Sequence, residues 1–401
     1  MKKKSLSSFF EEFLDKESLF KDRKALLPSY TPENILHREK EVNQIAKILA
    51  PLLKQERSSN LFIYGNTGSG KTLTIKHVIE NLTEIATSKD IPLKIIYSNC
   101  KLKRVSDTEY RLIAHLSSFF GRSLPSTGLP TDEVYKVFYD SLEKEKKTLL
   151  IVLDEADQLI KKAGDNILYN LTRINEDLKN SQISIVGISN DTTFMEQIDP
   201  RVKSSLSEED IFFSPYNALE MQSILKDRAT KALKQGALGE GVIEKCAAYA
   251  AREHGDARKA IELLRVAGET AERANNKSVS TEHLDEAEEK IEREKVFEVV
   301  KTQPKQFQAV LLSIITTKIN NPSAYTGEIY NSYRKICFKT GLRPLTQRRI
   351  SDIIHEFELM GIINTKTISK GRYGRTRDIS LSVSPAAIPM TKKILEDELL
   401  A

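Results

Sequence analysis

Two short stretches carry residue types at spacings that do chemistry. The first is Gly65-Asn66-Thr67-Gly68-Ser69-Gly70-Lys71-Thr72. It satisfies G-x-x-x-x-G-K-[ST] at every fixed position, after a strand-like run and before a helical one, which is the context that confirms such a match. The glycines permit a tight loop whose backbone N–H groups face phosphate oxygens, and the helix N-terminus adds the positive end of its dipole. Lys71 then reaches the β- and γ-phosphates of a nucleoside triphosphate, and Thr72 binds Mg²⁺. The second stretch is Asp154-Glu155, at the end of "TLLIVLDEAD". A buried strand delivers Asp154 to the carboxyl edge of a sheet, where open α/β folds bind ligands. There Asp154 holds Mg²⁺, directly or through water, while Glu155 orients and polarises the attacking water. Alone, the acidic pair also fits a capped helix start; beside the upstream loop, the hydrolytic reading is preferred.

Two further residues extend this chemistry. Asn190 ends the run "ISIVGISN", and its amide suits the same water or the γ-phosphate, although Asn at a strand end also serves as a turn residue. Arg258, in "HGDARKAIELLR", sits one turn inside a helix beginning near Gly255-Asp256, as a lid arginine closing on the γ-phosphate or as a surface ion-pair partner.

A different chemistry occupies the last quarter. Between Lys301 and Ser384 there are 14 Lys/Arg and 5 Asp/Glu, a net of +9 against +5 for the whole chain. Basic charge is therefore concentrated there, which points to a polyanionic partner or to a solvated basic face. Ile350, Ile353, Ile354, Phe357 and Met360 share one apolar helix face. The other side offers Thr346, Gln347, Arg348, Arg349, Ser351 and His355, with Gln347, Arg348 and Arg349 near the N-terminus that helix-turn-helix proteins present to the major groove. A two-strand ribbon follows, with Lys370-Gly371-Arg372-Tyr373-Gly374-Arg375 at its tip. Arg372, Tyr373 and Arg375 then contact a groove or phosphates. A winged helix used for protein contact is the alternative.

These groups need elements to hold them. Residues 61–64, 93–99, 148–153, 183–189 and 210–213 read as short buried strands separated by helices such as 71–82 and 109–120. That alternation predicts an α/β fold with a parallel sheet covered on both faces. From residue 217 only helices follow, at 218–235, 241–254, 256–274 and 281–298, giving a small helical lid. Helices at 304–318, 327–340 and 345–360, then strands at 362–368 and 377–383, describe a winged helix. The expected domains are an N-terminal extension (1–30, helical around 6–19 with a turn at Pro28), a P-loop ATPase (31–216), a lid (217–299) and a winged helix (300–401). No apolar run approaches the roughly 18 residues of a membrane span. Glu11 and Glu12 interrupt the only signal-like start, so a cytoplasmic protein with no membrane contact is expected. Cys100, Cys246 and Cys337 are too scattered for a disulfide framework or a zinc site.

P-loop, acidic pair, Asn190, Arg258 and terminal winged helix together resemble the AAA+ replication initiators of archaea, relatives of the origin recognition complex large subunit and cell division control protein 6. The resemblance covers nearly the whole chain. "YTPENILHREKEV" (30–42) is similar to the segment that lies over the adenine, and "DPRVKSSL" (199–206) to the family's interface motif. "FSPYNALEMQSILKDR" (213–228) is similar to the bridge into the lid, which implies that Tyr216 and Arg228 face the nucleotide; for Tyr216 a core role is the alternative. Some relatives carry a late arginine in the interface motif where this chain has Ser205. Arg201 is the remaining candidate for a finger acting on a neighbour's nucleotide, or else an ion pair within its loop. The resemblance also implies an inserted helix with a second DNA contact near residues 117–135, where Arg122, Ser126 and Thr127 are the candidates.

The function so implied is an ATP-dependent initiator that binds double-stranded origin DNA and helps load the replicative helicase. ATP/ADP and Mg²⁺ would act as a slow switch, and the protein would be a monomer in solution able to assemble side by side on DNA. Two competitors share the parts: an AAA+ branch-migration helicase, which should hydrolyse quickly in closed rings, and an ATP-gated winged-helix transcription regulator, which should bind promoters.

Overall fold

Uninterrupted apolar runs make the central strands, and alternation of their side chains decides what covers each face. The computed structural model describes residues 17–101, 108–125, 128–145, 147–193, 196, 198–206, 208–252, 255–321, 324–369, 375–382 and 387–400. The chain forms two compact units, Met1–Arg265 and Val266–Ala401.

In chain order the first unit contains α1 (Glu39–Leu49), β1 (Asn60–Gly65), α2 (Lys71–Ser88), β2 (Leu93–Asn99), α3 (Glu109–Ser118), α4 (Thr131–Glu145) and β3 (Thr148–Asp154). There follow α5 (Ala156–Ala163), α6 (Asn166–Asp177), β4 (Gln182–Ser189), α7 (Pro200–Leu206), β5 (Glu208–Phe213), α8 (Ala218–Ala232) and α9 (Val242–Arg252). Helix α10 (Ala257–Arg273) crosses into the second unit. The five strands form one parallel sheet in the order β2-β3-β4-β1-β5.

Strand β3 is buried along its whole length and shows how the layers are built. Its Leu150 and Val152 pack with Ile45 and Leu49 of α1 and Ile75 and Val78 of α2. Its Leu149, Ile151 and Leu153 face the opposite way, onto Leu112, Phe138, Leu159 and Leu171 of α3–α6. Each such side chain contributes about 2 kcal/mol on full burial, so a one-residue slip, which exchanges the faces, is strongly disfavoured. Both faces are covered, as the strand–helix alternation predicts. Asn217 caps α8 in a capping box with Glu220, fixing where the strand layer ends and the helical lid begins.

The second unit contains α11 (Thr281–Thr302), α12 (Lys305–Asn320), α13 (Thr326–Thr340), α14 (Gln347–Leu359), the antiparallel pair β6 (Ile363–Ser369) and β7 (Arg375–Leu381), and α15 (Ala387–Leu400). Ile350, Ile353, Ile354 and Phe357 of α14 are fully buried against α12 and α13. The apolar stripe of the sequence is thus the core face, and three helices with a two-stranded wing are present. Among the described residues no helix is long and apolar enough to cross a membrane.

Three local expectations change. Helix α15 has no counterpart in the sequence reading, yet its Leu395 and Leu399 belong to the core of the second unit. Residues 117–135 span the end of α3, a connection and the start of α4, and the described part of that connection is not helical. The N-terminal helix expected around residues 6–19 falls mostly outside the described residues, and its described end, Glu17–Leu19, is not helical; the turn at Pro28 is present.

Candidate functional site

Parallel pairing aligns the carboxyl ends of neighbouring strands. Tyr64 pairs with Ser189, Gly65 with Phe213, and Asp154 with both Asn99 and Ile188. The phosphate loop after β1, the acidic pair after β3 and Asn190 after β4 therefore emerge along one edge.

The loop Gly65–Thr72 (with Asn66, Thr67, Gly68, Ser69, Gly70 and Lys71 between) is held tightly. Gly68 has φ +76° and packs on the lid: a Cβ there would lie 1.9 Å from Asp256 Oδ1 and 2.8 Å from Asp256 Cα. Gly70 has φ +94°, and its Cβ would lie 2.6 Å from the Tyr216 hydroxyl. Both positions need glycine, for backbone reach and for space. Lys71 is 4% exposed. Its Nζ donates to the Gly65 and Asn66 carbonyls at 2.7 and 2.8 Å. Burial, reinforced by nearby Arg258 and opposed by Asp154, Asp157 and Asp256, lowers its pKa to about 8. A buried cation resting on loop carbonyls is placed to receive an anion.

Beside it, Thr72 Oγ1 donates to Asp154 Oδ2 at 3.2 Å. Tyr97 also donates its hydroxyl to Asp154 Oδ2. Burial, then that hydrogen bond, pushes the Tyr97 pKa upward, so the phenol stays a donor. The Thr72 hydroxyl and Asp154 carboxylate form a hard-oxygen pair of the kind Mg²⁺ takes together with phosphate oxygens and water. Glu155 has left-handed backbone (φ 57°) and ion-pairs with Lys101 at 3.7 Å. Asn190 is exposed. Its neighbours Ser189 and Asp191 join Asp157 and Lys161 in a polar cluster.

The lid side completes the cleft. Arg258 is exposed, its backbone N–H bound to Asp256 Oδ1 at 2.9 Å, and it lines the cleft with Gly68, Gly70 and Thr72. Leu27, Pro28, Tyr30, Ile35, Ile224 and Ile261 give the cleft an apolar end suited to a base. Arg228 also lines it, but its guanidinium donates to the Ala25 carbonyl at 3.2 Å and lies 4.5 Å over the Tyr30 ring. Arg228 thus fastens the segment that roofs the apolar end. Tyr216 is buried, its ring 4.1 Å from the Arg38 guanidinium. Arg38, like Tyr97, is a site residue that motif reading missed. Its one sequence signal is its place in "YTPENILHREKEV", where a cation inside a charged run looks like a solvated helix start.

Arg201 lies elsewhere. It is 88% exposed and grips Asp199 through Nε and Nη2 at 3.2 and 3.1 Å. It lines a polar cleft with Arg57, Arg173 and Asn60, the residue that starts β1. The P-loop begins at the other end of β1, roughly 17 Å away at strand rise, so Arg201 does not serve its own loop.

In the second unit Gln347, Arg348 and Arg349 form the exposed first turn of α14, capped by Thr346, whose hydroxyl accepts from Arg349 N at 3.4 Å. Arg349 is tethered to Asp352 and Glu356 at 3.9 and 3.6 Å. The wing pairs Ile363 with Leu381 through Ser369 with Arg375. Arg375 begins β7, while Arg372 and Tyr373 lie outside the described residues, as do Ser126 and Thr127. Arg122 is exposed, just beyond α3.

Comparison with known proteins agrees with the fold. Residues 35–234 match an ATPase domain predominantly from Archaea, 222–289 the Cdc6 AAA+ ATPase-type lid domain, and 298–389 the CDC6 C-terminal winged helix domain. The ORC1-type DNA replication protein of Pyrococcus abyssi is 48% identical over 96% of this chain and 92% of its own length. That of Methanosarcina mazei is 47% identical over 99% and 95%. The structure of the Aeropyrum pernix ORC1 protein in complex with DNA superposes with a TM-score of 0.85 at 41% identity, covering 96% of this chain and 99% of the other. The chain, an AAA+ ATPase domain followed by a Cdc6-type lid and winged helix, belongs to the family of ORC1-type DNA replication proteins.

Proposed function

We propose that this protein is an ATP-dependent replication initiator that binds double-stranded origin DNA and promotes loading of the replicative helicase, with ATP and ADP as a slow switch. The observation that carries this reading is the joining of a complete phosphate loop to a winged helix in a chain that aligns along nearly its full length with an ORC1 protein whose structure contains DNA. Family membership favours it over the branch-migration motor and the transcription regulator. The working domains are the extension (1–30), ATPase (31–216), lid (217–299) and winged helix (300–401).

In the nucleotide site, Lys71 exchanges two loop carbonyls for β- and γ-phosphate oxygens. Thr72 and Asp154 hold Mg²⁺, which when bound neutralises charge on the phosphates. Glu155 polarises the attacking water, Asn190 orients it, and Arg258 closes from the lid. Tyr216 and Arg228 shape the base end. Arg201, on the far edge of the sheet, acts only on a neighbour's nucleotide, so an isolated subunit hydrolyses slowly and side-by-side assembly on DNA matters. Its bidentate grip on Asp199 sets the guanidinium in place before a neighbour arrives.

On DNA, Gln347, Arg348 and Arg349 enter the major groove, and the wing residues Arg372, Tyr373 and Arg375 contact the adjacent groove or backbone. Arg122, Ser126 and Thr127 supply a second contact from the ATPase, and two contacts on one duplex let the protein bend it. The protein acts in the cytoplasm, on nucleoid DNA. Genome-wide mapping of binding by the unchanged chain and by Lys71→Ala tests the reading. A few origin-proximal sites, weakened by the substitution, are expected; promoter sites or uniform coverage would overturn it.

A further inference from the structure

We propose that Arg38 is a positioning residue of the nucleotide site, which aims one phosphate-loop amide and ties it to the connector leading into the lid. The inference rests on reading the loop as a nucleotide site. Arg38 is 3% exposed, a nearly fully buried cation. Its Nε donates to the Ser69 carbonyl at 2.9 Å, and Nη2 donates to the Ser214 carbonyl at 2.5 Å. Nη1 faces Glu41 Oε1 at 3.4 Å. The guanidinium carbon lies over both rings, 4.1 Å from the Tyr216 centroid and 5.3 Å from that of Phe213. One side chain therefore touches the phosphate loop, the end of β5 and the residues between β5 and α8.

The geometry at Ser69 has a specific consequence. In a trans peptide the carbonyl and the next N–H point in opposite directions. Anchoring the Ser69 carbonyl on Arg38 therefore aims the Gly70 N–H away from Arg38, as one of the loop's fixed phosphate donors. Gly70 is held from a second side by Tyr216, whose hydroxyl lies 2.6 Å from the place a Cβ would take. The guanidinium that orients the 69–70 peptide is thus the one stacked on Tyr216 and bonded to Ser214. A phosphate that engages Gly70 loads the same peptide plane, and Arg38 carries that load to residues 214–216 at the entrance to the lid. Only a rigid planar fork bonds two carbonyls in different segments while stacking on an aromatic face; a lysine ammonium does not. A cation that only filled a gap beside Glu41 would need neither the two carbonyls nor the tyrosine plane.

The test uses the full chain with ADP as probe. Arg38→Lys keeps the charge and an N–H donor group but loses the planar fork and the stacking plane. ADP affinity by calorimetry is expected to fall roughly tenfold, the loss of about one charge-assisted hydrogen bond. Hydrogen exchange should show that ADP no longer protects residues 213–228, while the melting temperature without nucleotide falls by a few degrees as buried carbonyls lose their donor. Unchanged affinity, or weakened affinity with full protection of 213–228, would overturn the proposal. Should Arg38→Lys not fold, Tyr216→Leu removes the stacking plane with Arg38 in place. Loss of ADP-dependent protection at 213–228 is then expected, and protection equal to that of the unchanged chain would overturn the proposal. ADP binding by the unchanged chain is the control that separates this idea from its parent, because its absence would overturn both.

Discussion

The nucleotide edge of the sheet and the first turn of α14 are built on opposite plans. At the nucleotide edge, charged groups from distant parts of the chain converge and are buried: Arg38 is 3% exposed, Lys71 4% and Asp154 5%. At α14, Gln347, Arg348 and Arg349 are consecutive in sequence and exposed to solvent. Burial means Arg38, Lys71 and Asp154 are ordered before the ligand arrives, each already partnered within the protein. Exposure means the second site spends almost nothing in the free protein and gains its interactions when phosphates and bases supply the partners. Substitutions at the first site should therefore be severe and mutually dependent, whereas those at the second should be moderate, additive and sensitive to salt.

The largest expected effect is at Gly68. Gly68→Val places a branched side chain at φ +76° against Asp256, so the loop and the lid entrance cannot both keep their positions. ATP affinity, by calorimetry or a fluorescent analogue, is expected to fall by about 100-fold or more, while DNA binding without nucleotide persists. Retained ATP affinity would break the claim that this site is preassembled.

A second effect is the pH profile of that site. With the Lys71 pKa lowered to about 8, binding an anion raises it again. Affinity should be level below pH 8 and fall above it, by up to about tenfold per pH unit, until the pKa of the bound state is reached. Isothermal titration between pH 7 and 10 checks this, and Lys71→Arg should flatten the profile because guanidinium keeps its proton.

On the DNA side the comparison sharpens between two adjacent arginines. Arg348→Ala should weaken duplex binding by roughly tenfold and reduce the slope of log affinity against log salt by about one. Arg349 is already tied to Asp352 and Glu356 along its own helix, so Arg349→Ala should cost less, roughly threefold, with a smaller change of slope. Equal effects would show that the carboxylates release Arg349 on binding. The smallest effect belongs to Arg201→Ala: the melting temperature and ATP affinity of the isolated chain should stay unchanged, and only turnover in the DNA-assembled state should fall.

How far each region was legible follows from the same contrast. The phosphate loop and Asp154 are readable because their chemistry fixes residue types at covalent spacing beside a buried strand. The α14 stripe is readable because burial repeats with the helical period. Arg38 is not readable from motifs, because its partners Ser69 and Ser214 are 31 and 176 residues away and are backbone carbonyls, which leave no mark on residue type. Helix α15 was missed because its few buried positions, such as Leu395 and Leu399, acquire meaning only against α11 and α12. The single helix that the resemblance implied in residues 117–135 is not found among the described residues: α3 ends at Ser118 and α4 begins at Thr131, and Gly121, Pro125, Gly128 and Pro130, helix-breaking residues legible in the sequence, lie between them. Arg228 shows a subtler gap: sequence brought it to the cleft, but only the fold reveals that its donors fasten the N-terminal segment.

On this reading one chain couples a nucleotide switch to site-specific recognition of duplex DNA. The most direct measurement is a competition titration of the full chain, with ATP, between an origin-proximal duplex and a scrambled duplex of equal length at one salt concentration. An initiator should prefer the origin duplex by about 1,000-fold or more, the usual margin of specific over non-specific binding. Equal affinity for the two duplexes would contradict the account.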